Sequence, residues 1–532
     1  MTSEKCFAKV YLTFVKKSER KSRVHELCGI CLSKNEVHGK NKVGGIFRIM
    51  RLKKKVSVAA IVIAMVAVFC QTAFGAEIMH GAEIGAEISL VFCIPFVGML
   101  LSIAICPLVI PHQWEKWRWL FVVVWSLLFL IPFAMAYNVP TMVDQLLESI
   151  IGDYLTFIVL LFGLFCVAGN ICLEGDLAGT PKTNIVLLLI GTLLASWIGT
   201  TGASMVMIRP ILRANQWRSK CVHTVVFFIF LVSNIGGALT PIGDPPLLMG
   251  FMRGVPFQWT MIHMLPPMLL NVVILLTLYF VLDNRAYKKD LAAGRKPLTG
   301  GAKTRLTGAH NIIFMLVIVA AVILSGVLPK LPMFQDAAGN VLSIHIFGSV
   351  HLTYTTIIEI VMILVAAFLS FKTTKKEVRT KNNFTWGAIE EVAVLFIGIF
   401  ITMIPALLFL KAHGADLGLN QAWQMFWCTG VLSSFLDNTP TYLVFMTTAG
   451  TLGATTGVVT TVGTIATKML IAVSCGAVFM GANTYIGNAP NFMVKSIADE
   501  NGVKMPSFFG YMAWSLSCLI PVFFIDMLVF FL

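Results

Sequence analysis

Residues 233–247 read Ser-Asn-Ile-Gly-Gly-Ala-Leu-Thr-Pro-Ile-Gly-Asp-Pro-Pro-Leu and interrupt an otherwise apolar run, 223–232 before and 247–252 after. Three glycines, three prolines and Asp244 fall within these fifteen positions. Hydrocarbon cannot satisfy the backbone groups that such breakers free. A segment of this kind survives at membrane depth only where protein encloses it or where it lines a polar cavity. A helix broken near the midplane offers carbonyls, side-chain oxygens and helix ends to an ion. That one stretch excludes a simple bundle of spanning helices.

The rest of the chain places it in a membrane. Of its 532 residues, 57% are hydrophobic and 12% charged, and mean hydropathy is +0.83; soluble domains carry about 25% charged residues. The net charge of +14 does not indicate nucleic acid. Residues 1–49 supply +7 of it and Arg51, Lys53, Lys54 and Lys55 another +4. The other basic clusters sit in short loops, the pattern of positive-inside topology. Residues 1–49 read as a basic extension or a misassigned start. Residues 50–76, a basic start, an apolar run and a small-residue exit, read as a signal peptide or a first membrane segment. Cys28-Gly-Ile-Cys31 lacks a second pair and is weak as a metal or redox motif. No cofactor is expected.

Loop charge orders the spans. Residues 209–220 carry Arg209, Arg213, Arg218 and Lys220, residues 283–310 seven Lys/Arg against two Asp, and residues 372–383 five Lys/Arg against Glu377. All three should be cytoplasmic. The acidic stretch 138–153 should be an outer loop, so 154–172 returns inward. Residues 183–208 then begin and end on one side. They cannot cross, and the Gly/Thr break at 196–204 makes them a re-entrant hairpin with its tip at Gly199–Gly202. Residues 223–252 cross outward with the break at 233–247, and 262–282 return. In the second half, 425–445 are broken at 433–441 and 469–493 at 481–491.

The breaks are related. Residues 194–202 (LASWIGTTG) parallel 432–440 (LSSFLDNTP), and residues 240–249 (TPIGDPPLLM) parallel 484–493 (TYIGNAPNFM), at offsets of 238 and 244. The expected fold is an all-α polytopic membrane protein with about 10–12 transmembrane segments. It is built as two inverted repeats, 85–282 and 311–532 around the cytoplasmic loop 283–310. Each repeat holds a re-entrant hairpin and a broken helix.

Residues 196–210 and 223–247, with Asn383-Phe-Thr-Trp386, Glu391-Val-Ala393 and Leu436-Asp-Asn-Thr-Pro-Thr-Tyr442, resemble NhaD-type sodium/proton antiporters. That family looks related to the arsenite-pump and citrate-transporter branch of the ion transporter superfamily. The resemblance covers roughly residues 85–532. It implies electrogenic or neutral exchange of cytoplasmic Na+ (or Li+) for external H+.

A hard cation such as Na+ takes oxygen ligands, and the breaks supply them. The candidates are Asp437, Asn438 and Thr439 at the second hairpin, facing Asn483, Thr484 and Asn488. The pseudo-symmetric set is Thr200, Thr201 and Ser204 with Asn234, Thr240 and Asp244. A charged carboxylate at membrane depth is costly unless a cation joins it, so Asp244 and Asp437 are the expected proton/cation exchange groups. The bland alternative for both is helix capping. Glu390 and Glu391 read as interfacial, Glu359 and Asp526 as buried acids without a neighbouring break, Glu174 and Asp176 as a solvated loop end, and His345 and His351 as surface groups.

The expected partners are Na+ or Li+, H+ and the lipid bilayer, with no nucleic acid, and a homodimer is open to the chain. A bacterial inner membrane, or an organelle membrane of bacterial type, is the expected location. The rival function is a Na+-coupled transporter of an anion such as citrate, another carboxylate or arsenite. A carboxylate substrate would want Arg or Lys near the midplane; the breaks contain none, and Arg209 and Arg253 flank them. A channel fits inverted broken helices poorly. No nucleophile elbow, phosphate loop or His metal cluster indicates an enzyme.

Overall fold

The computed structural model describes residues 78–175, 177–297, 305–382 and 384–532. The two readings of residues 1–76, and the Cys28/Cys31 pair, lie outside them. The described chain is helical apart from three two-stranded ribbons. Among the described residues, ten helices are long and apolar enough to cross a membrane. The protein is an integral membrane protein.

Helices α1 (Gly81–Glu87), α2 (Ile94–Val109), α3 (Pro111–Tyr137), α4 (Val139–Leu147) and α5 (Leu155–Gly169) open the chain. Proline at the first helical position starts α3, where its missing N–H is no loss. At 27 residues α3 is about 40 Å long, enough to span. Strand β1 (Cys172–Glu174) precedes α6 (Pro181–Ile198) and α7 (Thr200–Ala214). Next come α8 (Val222–Leu231), a 3-10 turn at Ile235–Leu239, α9 (Pro245–Met252), α10 (Phe257–His263) and α11 (Leu265–Ala292).

Strand β2 (Arg305–Thr307) pairs antiparallel with β1. Helix α12 (Asn311–Val327) leads to the hairpin β3 (Ser343–Phe347) and β4 (Val350–Thr353), then to α13 (Tyr354–Thr373), α14 (Lys376–Lys381) and α15 (Gly387–His413). The chain closes with α16 (Ala422–Phe435), α17 (Asn438–Gly450), the hairpin β5 (Val458–Thr460) and β6 (Gly463–Ile465), α18 (Thr467–Met480), α19 (Ala489–Glu500) and α20 (Phe508–Asp526).

Burial separates the centre of the protein from its rim. Of the apolar window Val222–Leu239, 89% is buried inside the protein, against 22% for Pro111–Tyr137. Val123, Leu127 and Leu128 on α3 remain exposed, the apolar surface that a helix offers to lipid. The broken segment is thus enclosed by protein, the condition under which freed backbone groups are tolerated.

Three expectations need correction. Residues 138–153 are not a loop: α4 continues through a π-helical turn at Glu148–Tyr154 into α5. No proline interrupts them after Pro140, and Asp144 is buried, accepting from the backbone N–H of Ser349 at 2.8 Å. The segment 283–310 does not begin as a loop either, because α11 runs on to Ala292. That extension is held by ions. Arg218 donates from Nη2 to Asp283 at 2.9 Å and from Nε to Asp290 at 2.7 Å. His223 and Asn184 also bond Asp283, and all five side chains are largely buried. Finally, the hairpin's second limb passes Arg209 and Pro210, which are inside α7 rather than beyond it.

Candidate functional site

The two hairpins turn differently. Between α6 and α7 the chain reverses at Gly199, whose φ of +77° favours glycine over any side chain. Between α16 and α17 there is no such residue. Leu436 and Asp437 are both extended, and Asp437 Oδ1 accepts from the N–H of Thr439 at 3.0 Å, capping α17. One left-handed glycine in the first half is replaced by two extended residues and a cap in the second.

The two broken helices share backbone angles at two paired positions. Asp244 and Asn488 stand immediately before α9 and α19 with φ/ψ of −140°/139° and −146°/139°. Thr240 and Thr484, four residues earlier, have −133°/157° and −136°/167°. Their contacts repeat as well. The Thr240 hydroxyl donates to the carbonyl of Ser196, and the Thr484 hydroxyl donates to that of Ser434 at 2.5 Å. Ser196 Oγ donates to Gly236 O at 2.5 Å, and Ser434 Oγ to Met480 O at 3.1 Å. These pairs obey the same offsets, 238 between hairpins and 244 between breaks, that relate the sequences. In each half a serine–threonine clasp ties hairpin to broken helix.

Gly243 and Gly487 make these clasps possible. A Cβ on Gly487 would lie 2.5 Å from the Gly481 carbonyl oxygen and 2.8 Å from that of Ser433, and one on Gly243 would strike the Gly237 carbonyl. Backbone cannot yield as a flexible side chain can. Gly487→Ala is therefore expected to loosen the second clasp and destabilise the protein by about 1–3 kcal/mol, read as a lowered thermal midpoint in detergent; an unchanged midpoint would show that the break relaxes freely.

The halves meet on Asp244. Its carboxylate is 1% exposed. Oδ1 accepts from Thr200 Oγ1 at 2.9 Å and from Asn488 Nδ2 at 3.3 Å, and Oδ2 accepts from Asn438 Nδ2 at 3.0 Å. Asn488 Nδ2 also lies 3.2 Å from Asn234 Oδ1, while Asn234 donates to Asn491 Oδ1 at 2.7 Å. Ser204 and Ser233 hydroxyls pair at 2.9 Å nearby. Thus Thr200, Ser204, Asn234, Asp244, Asn438 and Asn488 come together at one junction or its edge, drawn from both hairpins and both breaks. Every group that touches the carboxylate is neutral.

Other candidates stand differently. Thr240 and Thr484 hold the clasps. Asn483 donates to Ser434 Oγ at 2.9 Å, leaving its buried Oδ1 without a partner among the described residues, as is Thr439 Oγ1. Asp437 caps α17 and is partly exposed, and half-buried Thr201 joins no bond of the junction. The candidate set missed Asn491, whose amide donates to the carbonyls of Gly481 and Thr484 at 2.9 Å each, and Ser433, which donates to Asn438 Oδ1 at 2.7 Å. Both lie within the recognised breaks; position alone could not tell which polar residue of a break faces its partner half.

The remaining acids fall outside the junction. Glu391 pairs with Arg118 at 3.2 Å on the surface. Asp526 is enclosed and held by Asn271 Nδ2 at 2.8 and 2.9 Å. Glu359 is buried on α13. A cavity of about 780 Å³ is lined by Asp144, Glu148, Gly348, Ser349 and Lys411, none of them part of the Asp244 junction. Among the described residues no group of three His, Cys, Asp or Glu side chains could hold a metal ion. The junction is instead a hydroxyl and amide arrangement around one carboxylate.

Ten membrane-length helices among the described residues, with paired hairpins and broken helices meeting at a buried polar centre, are the architecture of a membrane transporter. Residues 85–531 match the family model described as "Putative citrate transport". The chain belongs to that family. No curated protein matches it.

Proposed function

We propose that this protein is a secondary active transporter that exchanges cytoplasmic Na+ (or Li+) for external H+ by alternating access. The observation that carries this reading is Asp244, a buried carboxylate whose partners are hydroxyl and amide groups with no Lys or Arg among them. An unpaired buried charge is expensive. A proton or a small cation removes that expense, and one group cannot hold both, so the two fluxes are coupled by competition.

The neutral partners suit both states. A hydroxyl or a carboxamide can donate to a bare carboxylate or turn its oxygen to a cation; an ammonium or guanidinium could only donate. Thr200 and Asn488 thus act as reversible ligands, with Asn234 and Asn491 positioning Asn488 from behind, while Asn438, whose Oδ1 is held by Ser433, stays a donor to the carboxylate. Asp437, Thr439 and Asn483 form the second half's candidate set, with buried oxygens of Thr439 and Asn483 still unpartnered.

Opposite orientation of the halves, 85–282 against 311–532, would let one junction face either side in turn. The loop charges and the two repeated clasps support that arrangement. The partial charge at a helix N-terminus is positive, and α9 and α19 begin just after Asp244 and Asn488, so both helix starts face the junction.

A second reading is cation-coupled uptake of citrate, favoured by the family match and by the capacity of the same amides and hydroxyls to donate to carboxylates. Reconstituted vesicles separate the two. Na+ or Li+ pulses are expected to dissipate an imposed pH gradient reported by an internal dye, without citrate. Sodium-dependent accumulation of labelled citrate, with no cation-induced collapse of the gradient, would overturn antiport in favour of the second reading.

A further inference from the structure

We propose that His345 and His351 form a two-histidine site for a divalent transition metal of the Zn2+, Ni2+ or Cu2+ class. The two residues are direct cross-strand partners in the β3–β4 hairpin, so their side chains share a face. Their ring centroids are 5.1 Å apart, and both side chains are exposed. Each ring already has one nitrogen engaged by its own hairpin. His345 Nε2 lies 3.0 Å from the carbonyl oxygen of Gly348, which can only accept, so that nitrogen carries the proton. Nδ1 is then left with its lone pair. His351 Nδ1 lies 3.3 Å from Ser343 Oγ, leaving Nε2. A hydrogen bond of this kind fixes the tautomer of His345, and the Ser343 hydroxyl, which can accept from His351 Nδ1, is compatible with a lone pair on His351 Nε2; metal-ligating histidines are held in the same way.

The hairpin is fixed to the body of the protein. Ser349, between the two histidines, donates from its backbone N–H and its hydroxyl to buried Asp144, and Val350 is buried. A metal therefore meets a pair already in place, and little chain order must be created on binding. Two imidazoles select Cu2+, Ni2+ and Zn2+ over Mg2+ and Ca2+, which want oxygen. For the same reason Na+ does not compete. With two protein ligands and water in the other positions, the ion exchanges readily instead of serving as a resident structural metal. The site does not rest on the transport reading.

The test is equilibrium dialysis of the full chain, without a polyhistidine tag, against Zn2+ alone, with bound metal quantified. One Zn2+ per chain is expected at this site, with His345→Ala or His351→Ala each weakening it at least tenfold and His310→Ala leaving it unchanged. Excess Na+ is expected to have no effect. Absence of saturable binding overturns the proposal. So does binding that survives the double variant, or that disappears only in Cys28→Ser/Cys31→Ser. An unchanged thermal midpoint in the variants shows that the loss is not one of folding.

Discussion

Asp244→Asn is expected to lower Na+-driven proton exchange by about 100-fold or more, the equivalent of about 3 kcal/mol of ion binding. The substitution keeps the shape and removes the charge that proton and cation share. It also sets two donors face to face, because Oδ2 of Asp244 receives Asn438 Nδ2 and an amide nitrogen there could not. Asn438 is not free to invert without loss, since its Oδ1 already accepts from Ser433. Asp437→Asn makes the contrast. Asparagine caps a helix as well as aspartate does, so α17 should still begin at its usual place and exchange should fall less. Measuring both variants by vesicle pH dye, with folding checked by size-exclusion profile, decides between the halves. Exchange that survives Asp244→Asn and vanishes in Asp437→Asn would move the ion to the second half.

Asp283→Ala should act on stability instead. Arg218 is almost wholly enclosed, with side-chain exposure of 1%, and Asp283 has none. Removing the carboxylate leaves Asp290 as the guanidinium's remaining acid, with the backbone carbonyls of residues 179 and 283 as its other acceptors, and takes a partner from His223 and Asn184. Breaking a buried pair in this way costs about 3–5 kcal/mol. The thermal midpoint in detergent should fall by about 3–5 °C. Asp283→Asn keeps the hydrogen-bond geometry and should lose less. Equal midpoints for wild type and Asp283→Ala would mean that water reaches Arg218 and replaces the carboxylate.

These two sites differ in how far the sequence displayed them. Asp244 is conspicuous because it sits among glycines and prolines inside an apolar run, and hydrocarbon leaves few explanations for such a break. The parallel at residues 240–249 and 484–493 likewise led to two breaks whose backbone angles and clasps do agree. The ionic group around Arg218 was hidden because its bonded members are 60 to 99 residues apart, and its charged residues lie in stretches that look like ordinary charged loops. Positive charge beside an apolar segment predicts a membrane face; it does not show that α11 continues past the apolar residues and folds Asp283 and Asp290 back onto that charge. Asp144 was misread for the same reason, since its partner Ser349 is 205 residues away. Within the junction, period and breakers located the segments, but the choice among Asn483, Asn488 and Asn491 depends on how two halves interlock.

The bonds on Asp244 also set an order of assembly. Its contact with Thr200 spans 44 residues, whereas those with Asn438 and Asn488 span 194 and 244. At about 5–20 residues per second of synthesis, Asn488 emerges on the order of 10–50 s after Asp244. For that interval the first half is in place with Thr200 as the acid's partner within its own half, and the junction is sealed only when the last broken helix inserts. A ribosome stalled before residue 438 would leave a nascent chain with its polar centre open, a feature by which quality control could tell an unfinished molecule from a complete one.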